Sequence, residues 1–229
     1  MEYGDGRMVL DAHRSKADPV LVPVAKVFKN ANPNTISWIG LILALISGIV
    51  LFFSYDNHIL LLVGSAIVIL SGYFDALDGK VAKMFGKASK KGDYLDHVFD
   101  RYADVFMIGG IALSGWCNPY LGAVALVGVL LTSYMGTQAQ AVGAPRLYAG
   151  LLGRADRVVL TTIFPILQYI FLFVADGKFA SFSFEIAGIS FDICWLEIMI
   201  LWFAVVGNLT AIQRAIIIWR NMSEQEKSQ

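Results

Sequence analysis

The chain has 229 residues, 57% of them hydrophobic and 16% charged, with a mean hydropathy of +0.62. Soluble domains are about 45–50% apolar, so this composition excludes an ordinary water-soluble fold and points to an integral membrane protein. Formal net charge is zero, and no basic excess suggests a nucleic-acid partner.

Residues 1–32 read as an N-terminal cytoplasmic segment. Within it, residues 8–30 mix Val, Leu, Ala and Phe with Lys and Arg around Pro19 and Pro23, the pattern of a juxtamembrane amphipathic helix in the headgroup layer. No signal peptide is expected, because this start is polar or mixed rather than a short basic stretch before an apolar run. Asn32, Pro33, Asn34 and Thr35 then give a turn and helix-cap signal, with Asn34 or Thr35 able to bond a free amide.

A bilayer requires about 20 apolar residues per helical span. Six such stretches follow, at 34–55, 59–80, 94–114, 119–142, 157–175 and 193–219, within a membrane domain over 33–220 and before a polar tail over 221–229. The expected fold is therefore all-α, with six transmembrane helices. The outer connections are short except 176–192, where Phe alternates with Ser and Glu as in a small hairpin or an interfacial cap. Trp38, Trp116, Trp195 and Trp219 fall near span ends, where aromatic belts form. Cys117 and Cys194 both map to the outer side, and two cysteines are too few to argue a disulfide over apolar packing.

All Lys and Arg except Lys178 fall on one side of these spans. By the positive-inside rule, that side is cytoplasmic, with both termini and the even connections, in a multi-pass protein of the cell membrane. The same side holds Asp75, Asp78, Asp96 and Asp100, each at the edge of an apolar span. An ionised carboxylate at the bilayer centre costs about 2.5–3.5 kcal/mol on insertion scales, so four together need pairing, hydration or cations. The spacings i, i+3 and i, i+4 put each pair on one helix face, giving two facing pairs of hard oxygen ligands. Salt bridges with Lys80, Lys83, Lys90, Lys91 and Arg101 are the plain alternative. An ion-coupled transporter or cation channel is another, although acids at one membrane face, rather than at midplane, count against an ion path.

Written out, the stretch has Asp75, Asp78, Gly79, Ala82 and Lys83, then eight residues, then Gly92, Asp96 and Asp100. This resembles the signature of the CDP-alcohol phosphotransferase family, D-x2-D-G-x2-A-R-x8-G-x3-D-x3-D, matching every gap and every fixed position except that Lys83 stands for Arg. The resemblance implies a CDP-linked lipid as donor and two divalent cations, Mg2+ or Mn2+, held by Asp75, Asp78, Asp96 and Asp100. It implies that Asp100 is the general base toward the acceptor hydroxyl. A nucleotide cleft is implied at Asn34, Thr35, Ile36, Ser37, Gly79, Ala82, Lys83, Ser89 and Gly92. Lys83 would meet the diphosphate as a point charge rather than a bidentate fork. Homodimers are typical of the family.

For the acceptor, Arg146, Arg154 and Arg157 in the fourth-to-fifth connection and Arg214 in the last span suit a phosphate; binding of lipid headgroups is the alternative. The stretch from Ser133 to Gly143, with Arg154, Arg157, Gln213 and Arg214, is similar to the family's inositol-phosphate-using branch. That branch commonly carries Lys and Arg where this chain has Gly136 and Gln138. The resemblance implies inositol phosphate as the acceptor, and the two missing charges leave glycerol phosphate or serine open.

Overall fold

The computed structural model describes residues 18–143, 147, 150–174, 176, 180–186 and 189–227. Seven α-helices are described: α1 (Asp18–Val27), α2 (Pro33–Phe52, followed by a 3-10 turn over Phe53–Tyr55), α3 (Ile59–Met84), α4 (Lys90–Ala112), α5 (Pro119–Ala141), α6 (Arg154–Phe173) and α7 (Trp195–Lys227). Their starts follow from local sequence. Asn32 and Asn118 each accept a hydrogen bond from the amide two residues on, at 3.0 and 2.9 Å, with proline in the first turn. The first turn of α2 is therefore capped by Asn32, not by Asn34 or Thr35. Ser89 caps α4 through the Gly92 amide at 3.0 Å.

Among the described residues, five helical stretches are long and apolar enough to cross a bilayer: Pro33–Tyr55, Ile59–Met84, Pro119–Ala141, Arg154–Phe173 and Trp195–Ser223. The protein is thus a multi-pass helical membrane protein. The expected span 94–114 falls on α4, which is equally long at 23 residues. Its first fifteen residues carry Asp93, Asp96, Asp100, Arg101 and Asp104, however, so composition alone does not mark it as a span. α7 continues through 221–227, the segment expected as a polar tail.

The expectation of an all-α fold is corrected by two strands, β1 (Ser181–Ile186) and β2 (Ile189–Cys194), which pair antiparallel with Phe182 opposite Ile193. The alternation of apolar and polar residues there has the strand period of two. Buried Gln168 fixes the hairpin to α6 and α7. Its Nε2 donates to the Ala180 carbonyl at 3.0 Å, and its Oε1 accepts from the Trp195 amide at 2.9 Å.

The main core joins α2, α3, α4, α5 and α7 through residues such as Leu51, Leu61, Val68, Ile108, Val129, Met199 and Phe203, all at most 1% exposed. α2 and α4 cross at backbone contact, since a Cβ on Gly110 would lie 2.1 Å from the Gly48 carbonyl oxygen. Only glycine permits that approach. A second cluster, Leu21, Ala25, Ile36, Leu77 and Val81, packs α1 onto α2 and α3. At 1.5 Å per residue, Asp75 lies about 24 Å and Asp78 about 29 Å along α3 from Ile59, close to the roughly 30 Å thickness of a hydrocarbon core.

Candidate active site

α3 and α4 are joined by a tight turn in which Gly86 has φ +65°, a left-handed conformation that glycine adopts without strain. The turn sends α4 back beside α3, so the two acidic helix faces meet. Carboxylate oxygens of Asp75, Asp96 and Asp100 all lie within 4.8 Å of one another. That is about twice a metal–oxygen distance of roughly 2.0–2.6 Å, so one hard cation can touch all three.

Asp78 stands beside this trio rather than in it. It is 6% exposed, and its buried Oδ2 has no hydrogen-bond partner. Ser37 Oγ nearby donates to the Pro33 carbonyl at 3.2 Å. An orphaned carboxylate oxygen next to three acids fits a cation. Positive charge already reaches this position from the protein itself. Arg154 pairs with Asp75 Oδ1 at 2.8 Å and also contacts Asp100 Oδ1, while Arg101 lies 3.2 Å from Asp100 Oδ2. A protein cation bridging Asp75 and Asp100 is a stand-in for the metal charge, and the donor set fits a divalent ion.

Asp75, Asp78 and Asp96 border a cavity of about 520 Å³, the size of a small-ligand pocket. Of the residues expected at a nucleotide cleft, Asn34, Ser37, Gly79, Ala82, Lys83, Ser89 and Gly92 line it. Gly79 has open space at its Cα, with nothing within 4 Å of where a Cβ would stand. Thr35 and Ile36 do not line the cavity: Thr35 is exposed and Ile36 is 1% exposed inside the second apolar cluster. At 100° per residue, 34 and 37 share a face of α2 while 35 and 36 turn from it. Asp18, Leu21, Lys80 and Lys87 also line the cavity, and no local motif marks them.

Of the four arginines expected to hold an acceptor phosphate, the three that are described meet different partners. Arg154 is in the carboxylate cluster, at the first residue of α6. Arg157, 5% exposed, donates to Asp104 Oδ2 at 2.5 Å and to Ser133 Oγ at 3.2 Å. Arg214, equally buried, donates to the Thr132 carbonyl at 2.6 Å. Arg146 lies outside the described residues. A Cβ on Gly136 would come within 3.1 Å of Arg214 Nη1. The space that α5 leaves at Gly136 is therefore taken by a cation from α7.

Fold and site together define a polytopic membrane protein with a carboxylate cluster able to hold a metal ion beside a cavity of small-ligand size. The chain belongs to the CDP-alcohol phosphatidyltransferase family, whose profile matches residues 30–209. It is 29% identical over 216 residues to the phosphatidylinositol phosphate synthase of Streptomyces avermitilis, covering 90% of this chain and 81% of that one. It is 32% identical over 132 residues to the archaetidylinositol phosphate synthase of Pyrococcus horikoshii, covering 57% and 67%. The crystal structure of the Mycobacterium tuberculosis phosphatidylinositol phosphate synthase with CDP-DAG bound aligns with a TM-score of 0.68 over 88% of this chain and 94% of that one. Identity there is 21%, so the likeness establishes the fold. Family membership makes the protein a transferase and leaves the transporter or channel alternative without support.

Proposed function

We propose that the protein transfers a phosphatidyl-type group from a CDP-linked lipid, CDP-diacylglycerol or CDP-archaeol, to inositol phosphate and releases CMP. The observation that carries this is the convergence of Asp75, Asp96 and Asp100 within 4.8 Å beside a cavity lined by Asn34, Ser37, Gly79 and Lys83. Two divalent cations, Mg2+ or Mn2+, held by Asp75, Asp78, Asp96 and Asp100, supply charge neutralisation of the diphosphate.

The chain's own residues divide the remaining work. Lys83 and the open backbone at Gly79 admit the diphosphate, with Asn34, Ser37, Ala82, Ser89 and Gly92 around the nucleotide. Asp100 takes the proton from the acceptor hydroxyl. The hydroxyl oxygen bonds to the lipid-side phosphorus as that phosphorus parts from the bridging oxygen, which leaves with CMP. Arg154 and Arg214 attract the acceptor phosphate, whereas Arg157 is committed to Asp104. Arg214 beside Gly136 supports a phosphorylated acceptor, because it supplies a cation where α5 has none.

This reading has α4 crossing the bilayer as a sixth span, its acids turned toward protein, and α1 lying at the interface. The site and both termini face the cytoplasm in the cell membrane, the membrane domain spans 33–220, and two chains associate as a homodimer. The test is CMP release from CDP-diacylglycerol and CDP-archaeol in detergent with Mn2+ or Mg2+, across inositol phosphate, glycerol phosphate and serine. Release that requires inositol phosphate and is abolished by EDTA is expected. No release with any acceptor would refute the reaction, and release only with glycerol phosphate or serine would refute the acceptor.

A further inference from the structure

We propose that α1 is a wall of the nucleotide cavity, held there by Lys80 and Lys87, and that these two lysines set affinity for the nucleotide by fastening α1 rather than by touching the ligand. The proposal rests on the nucleotide reading of the cavity. α1 has ten residues and a proline, Pro23, inside it, too little for independent stability in water. It is nevertheless placed so that Asp18 and Leu21 line the cavity.

Each end is fastened by a lysine distant in sequence. At the N-terminal end, Lys80 Nζ donates to Asp18 Oδ1 at 2.7 Å. Beyond the C-terminal end, Lys87 Nζ donates to the carbonyls of Lys29 at 2.6 Å and Ala31 at 2.8 Å. Carbonyls past a helix C-terminus lack intrahelical partners and lie at the negative end of its dipole, so an ammonium is the complementary group. Lys87 directly follows Gly86, the residue with φ +65°.

The consequence is a ring around the cavity. Ala31 immediately precedes Asn32, the cap of α2, and Asn34 lines the cavity two residues on. Asn34 also sits against Gly92, since a Cβ on Gly92 would lie 3.5 Å from Asn34 Oδ1. Lys87 therefore ties the connector that leads into α2, and so to Asn34, to the loop carrying Ser89. Lys80 closes the opposite side through α1.

Both lysines line the cavity, so direct contact with a diphosphate is the competing role, and a double-mutant cycle separates the two. The full chain in detergent with Mn2+ is titrated with CMP, and KM for the CDP-linked lipid and kcat for CMP release are measured in parallel. If Lys80 acts as a fastener, Asp18→Asn and Lys80→Met each weaken CMP binding by about three- to tenfold, and the double variant is no weaker than either. KM follows the same order and kcat stays within about twofold. Lys87→Met shows the same pattern and faster amide exchange in α1, whereas Lys87→Arg, which still donates to both carbonyls, restores affinity.

Loss of binding in Lys80→Met with none in Asp18→Asn would overturn the proposal, because the lysine would then act on the ligand itself. An equal fall in kcat across all variants would overturn it too. Failure of the unmodified protein to bind CMP would instead remove the nucleotide reading.

Discussion

Replacing Arg157 with methionine removes the guanidinium that donates to Asp104 Oδ2 at 2.5 Å, a carboxylate only 2% exposed. Removing one member of a buried ion pair costs about 3–5 kcal/mol, because the remaining charge has neither water nor partner. The bonds from Arg157 to Ser133 Oγ and to the Gly153 carbonyl, at 3.2 Å each, are lost as well. At about 2–4 °C per kcal/mol for a chain of this size, thermal unfolding in detergent should shift down by about 6–12 °C at the lower cost. Replacing both, as Arg157→Met with Asp104→Leu, should recover most of it, since an apolar pair of similar volume is often neutral in place of a buried ion pair. The single variant should also lose kcat. Asp104 lies one turn beyond Asp100 and Arg157 one turn beyond Arg154, so an unpaired Asp104 competes for Arg154. A loss below about 1 kcal/mol in the single variant, or a double variant as unstable as the single, would refute this assignment of Arg157 to the framework.

Asp100→Asn should retain CMP binding in Mn2+ while CMP release falls below detection; measurable turnover would remove the residue as base. Arg214→Ala should raise the KM for inositol phosphate at least tenfold with CDP-lipid KM unchanged, and equal effects on both substrates would point to a framework role. Burial pushes the thiols of Cys117 and Cys194 upward from the usual cysteine range, so neither should react with maleimide at pH 7–8 until the protein is unfolded in SDS. Rapid labelling of the folded protein would contradict that.

The acidic site was legible in the sequence because helix geometry alone decides that residues three or four apart share a face. Asp75 with Asp78, and Asp96 with Asp100, needed only the turn at Gly86 to bring the faces together. The family resemblance groups Thr35 and Ile36 with Asn34 and Ser37, although the same 100° step turns their side chains elsewhere. The arginines were harder. Arg154 and Arg157 share a face of α6, but which acid each meets depends on how α6 lies against α4. Asp18 was out of reach altogether, since its partner Lys80 is 62 residues away and no periodicity links them. The hairpin was half legible: its alternation is plain, but alternation in a membrane protein fits an interfacial cap as well as a pair of strands.

The depth of the site along α3 has a consequence for traffic. With Asp75 about 24 Å and Asp78 about 29 Å from the far end of that helix, the reacting atoms lie at the border between oil and water rather than within either. For the transfer proposed here, a substrate anchored by its tails and one dissolved in the cell sap could meet there without either crossing a phase boundary. The nucleotide would depart into water while the product slides away sideways in the leaflet. No pump, channel or carrier would then be needed to bring the partners together, and turnover would be governed by two diffusion fields of different dimension, one planar and one spatial.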